Sequence, residues 1–392
     1  MPDPRLAKLA NVLVRYSTRV KPGDLVTIVA EPLALPAVEA VFEAVLAAGG
    51  HPSYHAKPES LQELLVRRGS DAQLQHVCPF EEFRLAKCDV LIVLICPRNT
   101  RYMESADPAR VAMMRAARGG LLASGLARKA AGESRYVLTE VPSHAAAQDA
   151  GMSLAEYTDW VFAAGLLDSP DPASAWQSLF EKQARATDYL ARVREVKFQA
   201  PPRDGAHGGR PHDGTNLTVN VESRTWINHA GQENFPDGEV ETGPRSVDGV
   251  VNFTYPSIFQ GTRVEGIRLA FRDGQAIEAS ATLNEAFLIK MLDQDAGARI
   301  AGEIALGTNY ALTRGHGNTF FDEKIGGTFH LALGAGYPET GNTNHSSLHW
   351  DMVCDLRPGG AFPSSPGGTI YADGTPIQRD GKFLLEGWPG GW

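Results

Sequence analysis

Seven consecutive apolar residues, Val90 to Cys96, stand between Asp89 and Pro97. The run is far shorter than the roughly 18 residues that a membrane-spanning helix needs, and its length is typical of a strand buried on both faces. Strand-like runs alternate with segments of helical periodicity along the first half, at 25–30, 36–48, 52–55, 60–68, 108–118 and 135–139. This β-α-β rhythm predicts an α/β N-terminal domain with a largely parallel sheet covered by helices.

The sequence pattern changes after residue 199. Up to that point helical periodicity continues, at 154–164 and 174–197. Seven of the fifteen residues from 200 to 214 are then Gly or Pro, which predicts a linker. Beyond it, short strand-like runs are separated by turn dipeptides such as Asp273-Gly274. We therefore expect an α/β domain at 1–199, a linker at 200–214 and a mainly antiparallel β (α+β) C-terminal domain at 215–392.

Composition restricts the class of protein. At 392 residues the chain is long for a single core. A formal net charge of −9, from 37 basic and 46 acidic residues, lacks the basic footprint of a nucleic-acid-binding protein. There is no membrane-span or signal-peptide pattern, and four cysteines make no disulfide framework. We expect a cytoplasmic protein that binds neither nucleic acid nor a membrane.

The α/β half carries no recognised catalytic motif. The dinucleotide loop GxGxxG, the phosphate loop GxxxxGK[ST], the zinc motif HExxH and the nucleophile motif GxSxG are all missing. We therefore interpret this half as a scaffold or a wall for the substrate.

Acids and histidines gather instead in the second half. His349 and Asp351 are two residues apart, which on a strand directs both side chains to one face. Glu303 and His330 each stand in an apolar stretch, where an ionised carboxylate is costly unless a cation is beside it. Nitrogen and oxygen ligands without thiolates suit zinc, cobalt, manganese or iron.

Five segments carry a resemblance to a known family. In order, they are GEV at 238–240, GEIAL at 302–306, FDE at 321–323, HLALGAGY at 330–337 and NHSSLHWD at 344–351. Together they resemble the signature of the M29 family of metallo-aminopeptidases (aminopeptidase T and AmpS type). The match is strong over residues 230–355, and the first half resembles the family's N-terminal domain.

The resemblance implies two adjacent divalent ions (zinc, cobalt, manganese or magnesium), with Glu239 as a bridging ligand. The further ligands that it implies are Glu303, His330, His349, Asp351 and, as a ligand or an acid beside the ligands, Glu323. Tyr337 matches the family's active-site tyrosine, and either Glu303 or Glu323 would be the general base.

The activity implied is that of a homodimeric aminopeptidase, which hydrolyses N-terminal residues from peptides through a metal-bridged water. Two departures from the family pattern stand out. The segment KIGGTF between Glu323 and His330 is about two residues longer than the usual form, and Glu241 replaces the usual aromatic after GEV. The second change predicts a more acidic wall on the substrate side.

Two other functions fit parts of the pattern. A mononuclear non-haem iron ring-cleaving dioxygenase of the dihydroxypyridine type needs two histidines and one carboxylate, which His330, His349 and Asp351 could supply. Glu239 and Glu303 would be surplus to such a site and argue against it. A non-catalytic peptide-binding relative is the third alternative, and the intact set of candidate ligands argues against it.

Overall fold

The computed structural model describes residues 3–202, 213–361 and 365–390. Its α-helices are α1 (Arg5–Asn11), α2 (Leu35–Ala47), α3 (Glu59–Arg68), α4 (Asp71–Gln75), α5 (Pro79–Lys87), α6 (Pro108–Ala117), α7 (Gly119–Ala130), α8 (His144–Asp149), α9 (Leu154–Ala164), α10 (Pro172–Leu190), α11 (Glu285–Leu292) and α12 (Thr319–Asp322). A π-helix at Val12–Ser17 and 3₁₀ turns at Pro32–Ala34 and Pro338–Thr340 complete the helical elements of this part of the chain. None of the helices described is both long enough and apolar enough to cross a membrane.

The strands of the first half are β1 (Leu25–Ala30), β2 (His51–Ala56), β3 (Val90–Ile95) and β4 (Arg135–Glu140). Those that follow are β5 (Glu195–Ala200), β6 (Thr215–Asn220), β7 (Ile227–His229), β8 (Asn234–Phe235), β9 (Glu239–Thr242), β10 (Ser246–Asn252), β11 (Ser257–Phe259), β12 (Thr262–Val264), β13 (Arg268–Arg272), β14 (Gln275–Ser280), β15 (Ala301–Gly307), β16 (Thr328–Gly334), β17 (His349–Asp355), β18 (Thr369–Ala372), β19 (Thr375–Arg379) and β20 (Lys382–Phe383).

The first compact unit comprises Met1–Ala175 and the short segment Gly231–Pro236. Its sheet has the strand order β2-β1-β3-β4-β8, and every neighbouring pair is parallel. The apolar run that contains β3 lies in the interior of this sheet, between β1 and β4. One face of β3 is fully buried and the other only partly, so the burial on both faces that its composition predicts is incomplete. Asp107 accepts a hydrogen bond from the backbone N–H of Ala109 and caps α6.

The second compact unit comprises Trp176–Ala230 and Asp237–Trp392. An eight-stranded antiparallel sheet runs in the order β14-β13-β10-β6-β5-β18-β19-β20, and a five-stranded antiparallel sheet in the order β17-β16-β15-β9-β7. Phe198 of β5 and Phe329 of β16 meet with ring centroids 4.1 Å apart, so apolar side chains of the two sheets share one core. An α/β N-terminal region with a parallel sheet and a mainly antiparallel C-terminal region confirm the predicted fold class.

The segment predicted to be helical at 174–197 differs from the structure. α10 ends at Leu190, and β5 begins at Glu195. Val196 and Phe198 alternate into the core of the second unit while the backbone pairs with β6 and β18. This pairing with strands distant in sequence overrides a local periodicity that a helix also satisfies.

The boundary between the two compact units also differs from the predicted boundaries at 199 and 214. The division falls at Ala175, because most of α10 and all of β5 belong to the second unit. The Gly- and Pro-rich segment at 200–214 joins β5 to β6, which are paired neighbours in one sheet, so it connects two strands of a single unit. Residues 203–212 of that segment lie outside the described residues.

The shared core of the second unit makes a stability prediction. Phe329→Ala removes a fully buried ring that packs on Phe198 and should lower the free energy of unfolding of this unit by about 3–5 kcal/mol. Ile277→Ala, at a half-exposed position of β14, should change it by less than about 0.5 kcal/mol. Denaturant titration followed by circular dichroism measures both, and equal midpoints for the two variants would contradict the core described here.

Candidate metal centre

The five-stranded sheet of the second unit has two chemically different faces. Side chains alternate between the faces of a strand, so residues two apart share a face. One face contributes Ile304, Leu331 and Trp350 to the apolar core. The strand registers place these residues on the opposite face: His229, Glu239, Glu241, Glu303, His330, His349 and Asp351.

Small residues stand opposite the polar ones on that face. Ala332 is the register partner of both Glu303 and Asp351, and Gly334 is the partner of His349. On the other side of β15, Ala305 is paired with Glu241, and Gly307 with Glu239. At the two glycine positions an added Cβ would meet the backbone carbonyl oxygens of Ile325 and Leu348, so these positions must remain glycine for the strands to pack. The methyl groups of Ala305 and Ala332 are the smallest side chains that can stand between the carboxylates and imidazoles, so this face is not crowded by apolar groups.

Both imidazoles of the cluster are oriented by backbone carbonyl groups. The Nδ1–H of His330 donates to the carbonyl oxygen of Glu323 at 3.2 Å, and the Nδ1–H of His349 donates to that of Ala335 at 3.0 Å. With Nδ1 engaged by a carbonyl, each ring turns its Nε2 towards the carboxylates, where it could bind a metal ion in place of a proton. A carbonyl that accepts from the second ring nitrogen is the arrangement that metal-ligating histidines use in proteins.

The ligand atoms form two groups that share one carboxylate. Glu303, His349 and Asp351 make up the first group, and Glu323, His330 and Asp351 make up the second. In each group the candidate ligand atoms lie within 4.8 Å of one another. Asp351 is thus the residue common to both groups in this geometry, whereas the family resemblance gives the bridging position to Glu239.

Glu303 lies between the two imidazoles. Its Oε1 is 2.9 Å from Nε2 of His330, and its Oε2 is 3.5 Å from Nε2 of His349. Oδ1 of Asp351 is 3.5 Å from the same nitrogen of His349 and 3.9 Å from that of His330. The candidate ligands therefore converge on a common volume from β15, β16 and β17.

An ammonium group accompanies the second group of ligands. Lys324 is fully buried, and its Nζ donates to Oε1 of Glu239 at 2.9 Å and to Oε1 of Glu323 at 2.6 Å. Oδ1 of Asp237 lies 3.6 Å from the same nitrogen. Burial opposes the charge of Lys324, but the surrounding carboxylates outweigh it and raise the pKa well above its usual range.

Glu241 is paired with a third histidine of the same face. Nε2 of His229 lies 3.0 Å from Oε1 of Glu241, and both side chains are largely buried. Burial lowers the pKa of His229, but the contact with Glu241 reverses this and raises it to about 10. Glu241 is thus held in an ion pair with His229. The more acidic wall on the substrate side that the sequence predicts stays a prediction.

The other pKa shifts reflect an excess of negative charge. Burial lowers the pKa of His349, yet Asp351 and Glu303 raise it to about 10. Burial together with Glu241 and Asp351 raises the pKa of Glu303 well above its usual range. Burial raises the pKa of Glu323 to about 7, although the ammonium of Lys324 opposes that change. Carboxylates in this cluster outnumber the cations that neutralise them, and an added cation would relieve the imbalance.

The donor set fits a divalent metal ion on two observations of the structure. Oε2 of Glu239 and Oδ1 of Asp351 are buried, and neither has a hydrogen-bond partner within the described ranges. Leaving a charged oxygen buried without a partner is costly, and a metal ion is a partner for which carboxylates are well suited. The imidazole Nε2 atoms facing the same volume add the nitrogen ligands that zinc, cobalt and manganese accept.

Tyr337 stands at the accessible side of the cluster. Its ring is 39% exposed, and its hydroxyl lies 3.5 Å from Nε2 of His349. Burial of the hydroxyl and the nearby charge of Glu303 raise its pKa above the usual value, so at neutral pH it stays protonated. A neutral phenol at this place can donate a hydrogen bond to a bound molecule.

The structure brings together all the site residues that the sequence singles out: Glu239, Glu303, Glu323, His330, Tyr337, His349 and Asp351. The sequence pattern does not identify Lys324 or His229 as part of the site. Lys324 could have been considered, because it directly follows Glu323 in the segment KIGGTF, which is longer than the usual family form. His229 lies outside the five matched segments, and only the pairing of β7 with β9 reveals its place.

The small residues of this face give a second prediction. Ala332→Val adds two methyl groups between Glu303 and Asp351, so metal affinity should fall at least about tenfold. The matched change Ala279→Val, on β14 of the other sheet, should leave metal affinity unaltered. Isothermal titration with Zn²⁺ measures both, with circular dichroism as the test of folding. Unaltered zinc affinity in folded Ala332→Val protein would show that this space is not where the ion binds.

A family model described as thermophilic metalloprotease (M29) matches residues 2–383. Aminopeptidase 2 of Geobacillus stearothermophilus is 26% identical over 427 residues, which cover 98% of each chain. Aminopeptidase T of Thermus aquaticus is 33% identical over 258 residues, or 57% of this chain and 58% of that protein. The solved structure of wild-type AmpT from Thermus thermophilus superposes with a TM-score of 0.79 at 23% identity, covering 97% of this chain and 99% of that one.

Proposed function

We infer the function from one premise: the chain belongs to the M29 family of metalloproteases, whose model spans residues 2–383. This confirms the resemblance seen in the five sequence segments. We propose that the protein is a metal-dependent aminopeptidase that hydrolyses N-terminal residues from peptides. The observation that supports this most strongly is the convergence of Glu303, His349 and Asp351, with their ligand atoms within 4.8 Å of one another.

The dioxygenase alternative has no support beyond the three residues that suggested it. The family is one of metalloproteases, and the relatives described above are named aminopeptidases. The cluster also holds Glu303 and Glu239, carboxylates that a single iron with two histidines and one acid would not require. We therefore propose peptide hydrolysis as the function, and not oxidative ring cleavage.

For the metal itself, we propose divalent zinc, cobalt, manganese or magnesium, with up to two ions per chain. Glu303, His349 and Asp351 would hold one ion, and Glu323, His330 and Asp351 the other. Glu239 keeps one oxygen, Oε2, without a hydrogen bond among the described residues, which supports its proposed role as a shared ligand. Bound divalent ions lower the pKa of water towards neutrality and polarise the scissile carbonyl.

The side chains have separate tasks in the proposed reaction. The phenol of Tyr337 donates a hydrogen bond to the oxyanion that forms when the peptide carbonyl is attacked. A carboxylate removes the proton from the attacking water and passes it to the leaving amine. We assign that task to Glu323, whose carboxylate oxygen lies within 4.8 Å of the ligand atoms of His330 and Asp351 and stays free of metal when only the ion at Glu303, His349 and Asp351 is bound. Glu303, which faces both imidazoles, suits the role of ligand.

We also propose that the enzyme acts in the cytoplasm as a homodimer. The cysteines at 78, 88, 96 and 354 are free thiols, which suits a reducing compartment. The dimer is implied by the family resemblance, and a monomeric mass in sedimentation equilibrium would contradict it.

Removal of metal tests the proposed function directly. A chelator should abolish the release of p-nitroaniline from Leu-p-nitroanilide by the full-length protein, and added zinc, cobalt or manganese should restore it. We expect this because Glu303, His349 and Asp351 would hold a cation that supplies an activated water at neutral pH. A protein that instead contains one iron per chain, consumes oxygen with a dihydroxypyridine and hydrolyses no peptide would overturn the proposal in favour of the dioxygenase.

A matched pair of variants distinguishes the base from the ligand. Glu323→Gln should retain one tightly bound ion and lower kcat by about 10²- to 10⁴-fold, because the amide cannot accept the proton. Glu303→Gln should lose metal affinity as well, by about 10- to 100-fold. Metal analysis after dialysis and steady-state kinetics at saturating metal measure the two effects. The opposite outcome, with metal retained only in Glu303→Gln, would exchange the two roles.

A further inference from the structure

Lys324 places a permanent positive charge in the interior of the cluster. The other ionisable side chains there are carboxylates and imidazoles. Lys324 is fully buried, and two carboxylate oxygens accept hydrogen bonds from its Nζ. A third carboxylate, that of Asp237, lies 3.6 Å away. A bound divalent ion is likewise surrounded by several carboxylates. The ammonium of Lys324 thus supplies positive charge at a position where a metal ion could otherwise bind.

The ammonium contacts the two ligand groups unequally. Glu323, a member of the second group, is bound to it at 2.6 Å, and Glu239 is bound at 2.9 Å. In the part of the chain that the structure describes, Lys324 forms no ion pair with Glu303 or Asp351. The group formed by Glu303, His349 and Asp351 therefore keeps its carboxylates free of the ammonium.

This inequality has a direct consequence for cation binding. An ion entering the group of Glu323 and His330 must displace the ammonium from Glu323 or bind beside it. Like charges a few ångströms apart repel strongly in a buried site, since little water screens them. An ion entering the group of Glu303 and His349 gains the same kind of ligands, and no ammonium among the described residues is bound to either of these two.

We propose that Lys324 acts as an internal cation that makes the two metal positions unequal, an inference that rests on the proposed metal-dependent function. The group of Glu303, His349 and Asp351 binds one divalent ion tightly. The group of Glu323, His330 and Asp351 binds a second ion at least about tenfold more weakly, because the ammonium holds Glu323.

Metal titration of the full-length protein tests this inference. Metal-free wild-type protein is titrated with Co²⁺, and binding is followed by calorimetry and by the absorption of the bound cobalt. Wild type should show one tight equivalent and a second that is at least tenfold weaker. Lys324→Gln, which removes the charge, should bring the two affinities to within a few-fold of each other. Lys324→Arg, which retains the charge, is the matched control and should keep them unequal.

Each outcome decides between the possibilities. Two equally tight ions in wild type, or unequal affinities that persist in folded Lys324→Gln, would overturn the role of Lys324 while leaving the metalloenzyme intact. No binding of divalent metal by wild type would overturn the proposed function itself. If Lys324→Gln does not fold, Lys324→Met, which removes the charge with an unbranched side chain of similar length, takes its place in the comparison. Paramagnetic resonance of the cobalt protein adds a second readout, since two adjacent ions couple magnetically and one ion does not.

Discussion

Buried negative charge on one sheet face is the constraint on which the rest of the second unit depends. Glu239, Glu241, Glu303 and Asp351 project from neighbouring strands into a volume from which water is largely excluded. Burying ionised carboxylates is unfavourable unless cations and hydrogen bonds compensate. The other face of the same sheet is apolar and forms the core, which holds the strands in register and keeps the charged groups together.

The compensation comes from two kinds of positive charge. Within the chain, Lys324 neutralises one side of the cluster, and His229 is paired with Glu241. Elsewhere two imidazoles have their Nδ1–H groups engaged by backbone carbonyls and their Nε2 atoms directed at Glu303 and Asp351, where a metal ion could bind in place of a proton. The carboxylates bound to Lys324 and His229 are thus neutralised by the protein itself. Those that face His330 and His349 are the ones whose charge the proposed divalent ion would balance.

The sequence predicts those features that depend on residues close together along the chain. The strands of the parallel sheet are predictable, because an apolar run such as Val90 to Cys96 directly indicates a strand in the interior of a sheet. The common face of His349 and Asp351 is readable too, because the period of a strand is local. By contrast, local periodicity predicts a helix where the structure has β5, and the content of Gly and Pro predicts a domain linker at 200–214. Both depend on pairing with strands far away in sequence, which local composition does not report. Lys324 was missed for the same reason, since its carboxylate partner Glu239 is 85 positions distant.

Anomalous diffraction from crystals grown with Zn²⁺ and recorded at the zinc edge tests the central claim most directly. The charge distribution and the orientation of the imidazoles predict a strong peak within coordination distance of Glu303, Nε2 of His349 and Asp351. Electron density for Lys324 should remain in contact with Glu323 when this peak is present. Absence of any peak on this face, or a peak bound elsewhere with these side chains unaltered, would contradict the assignment of the cluster as a metal centre.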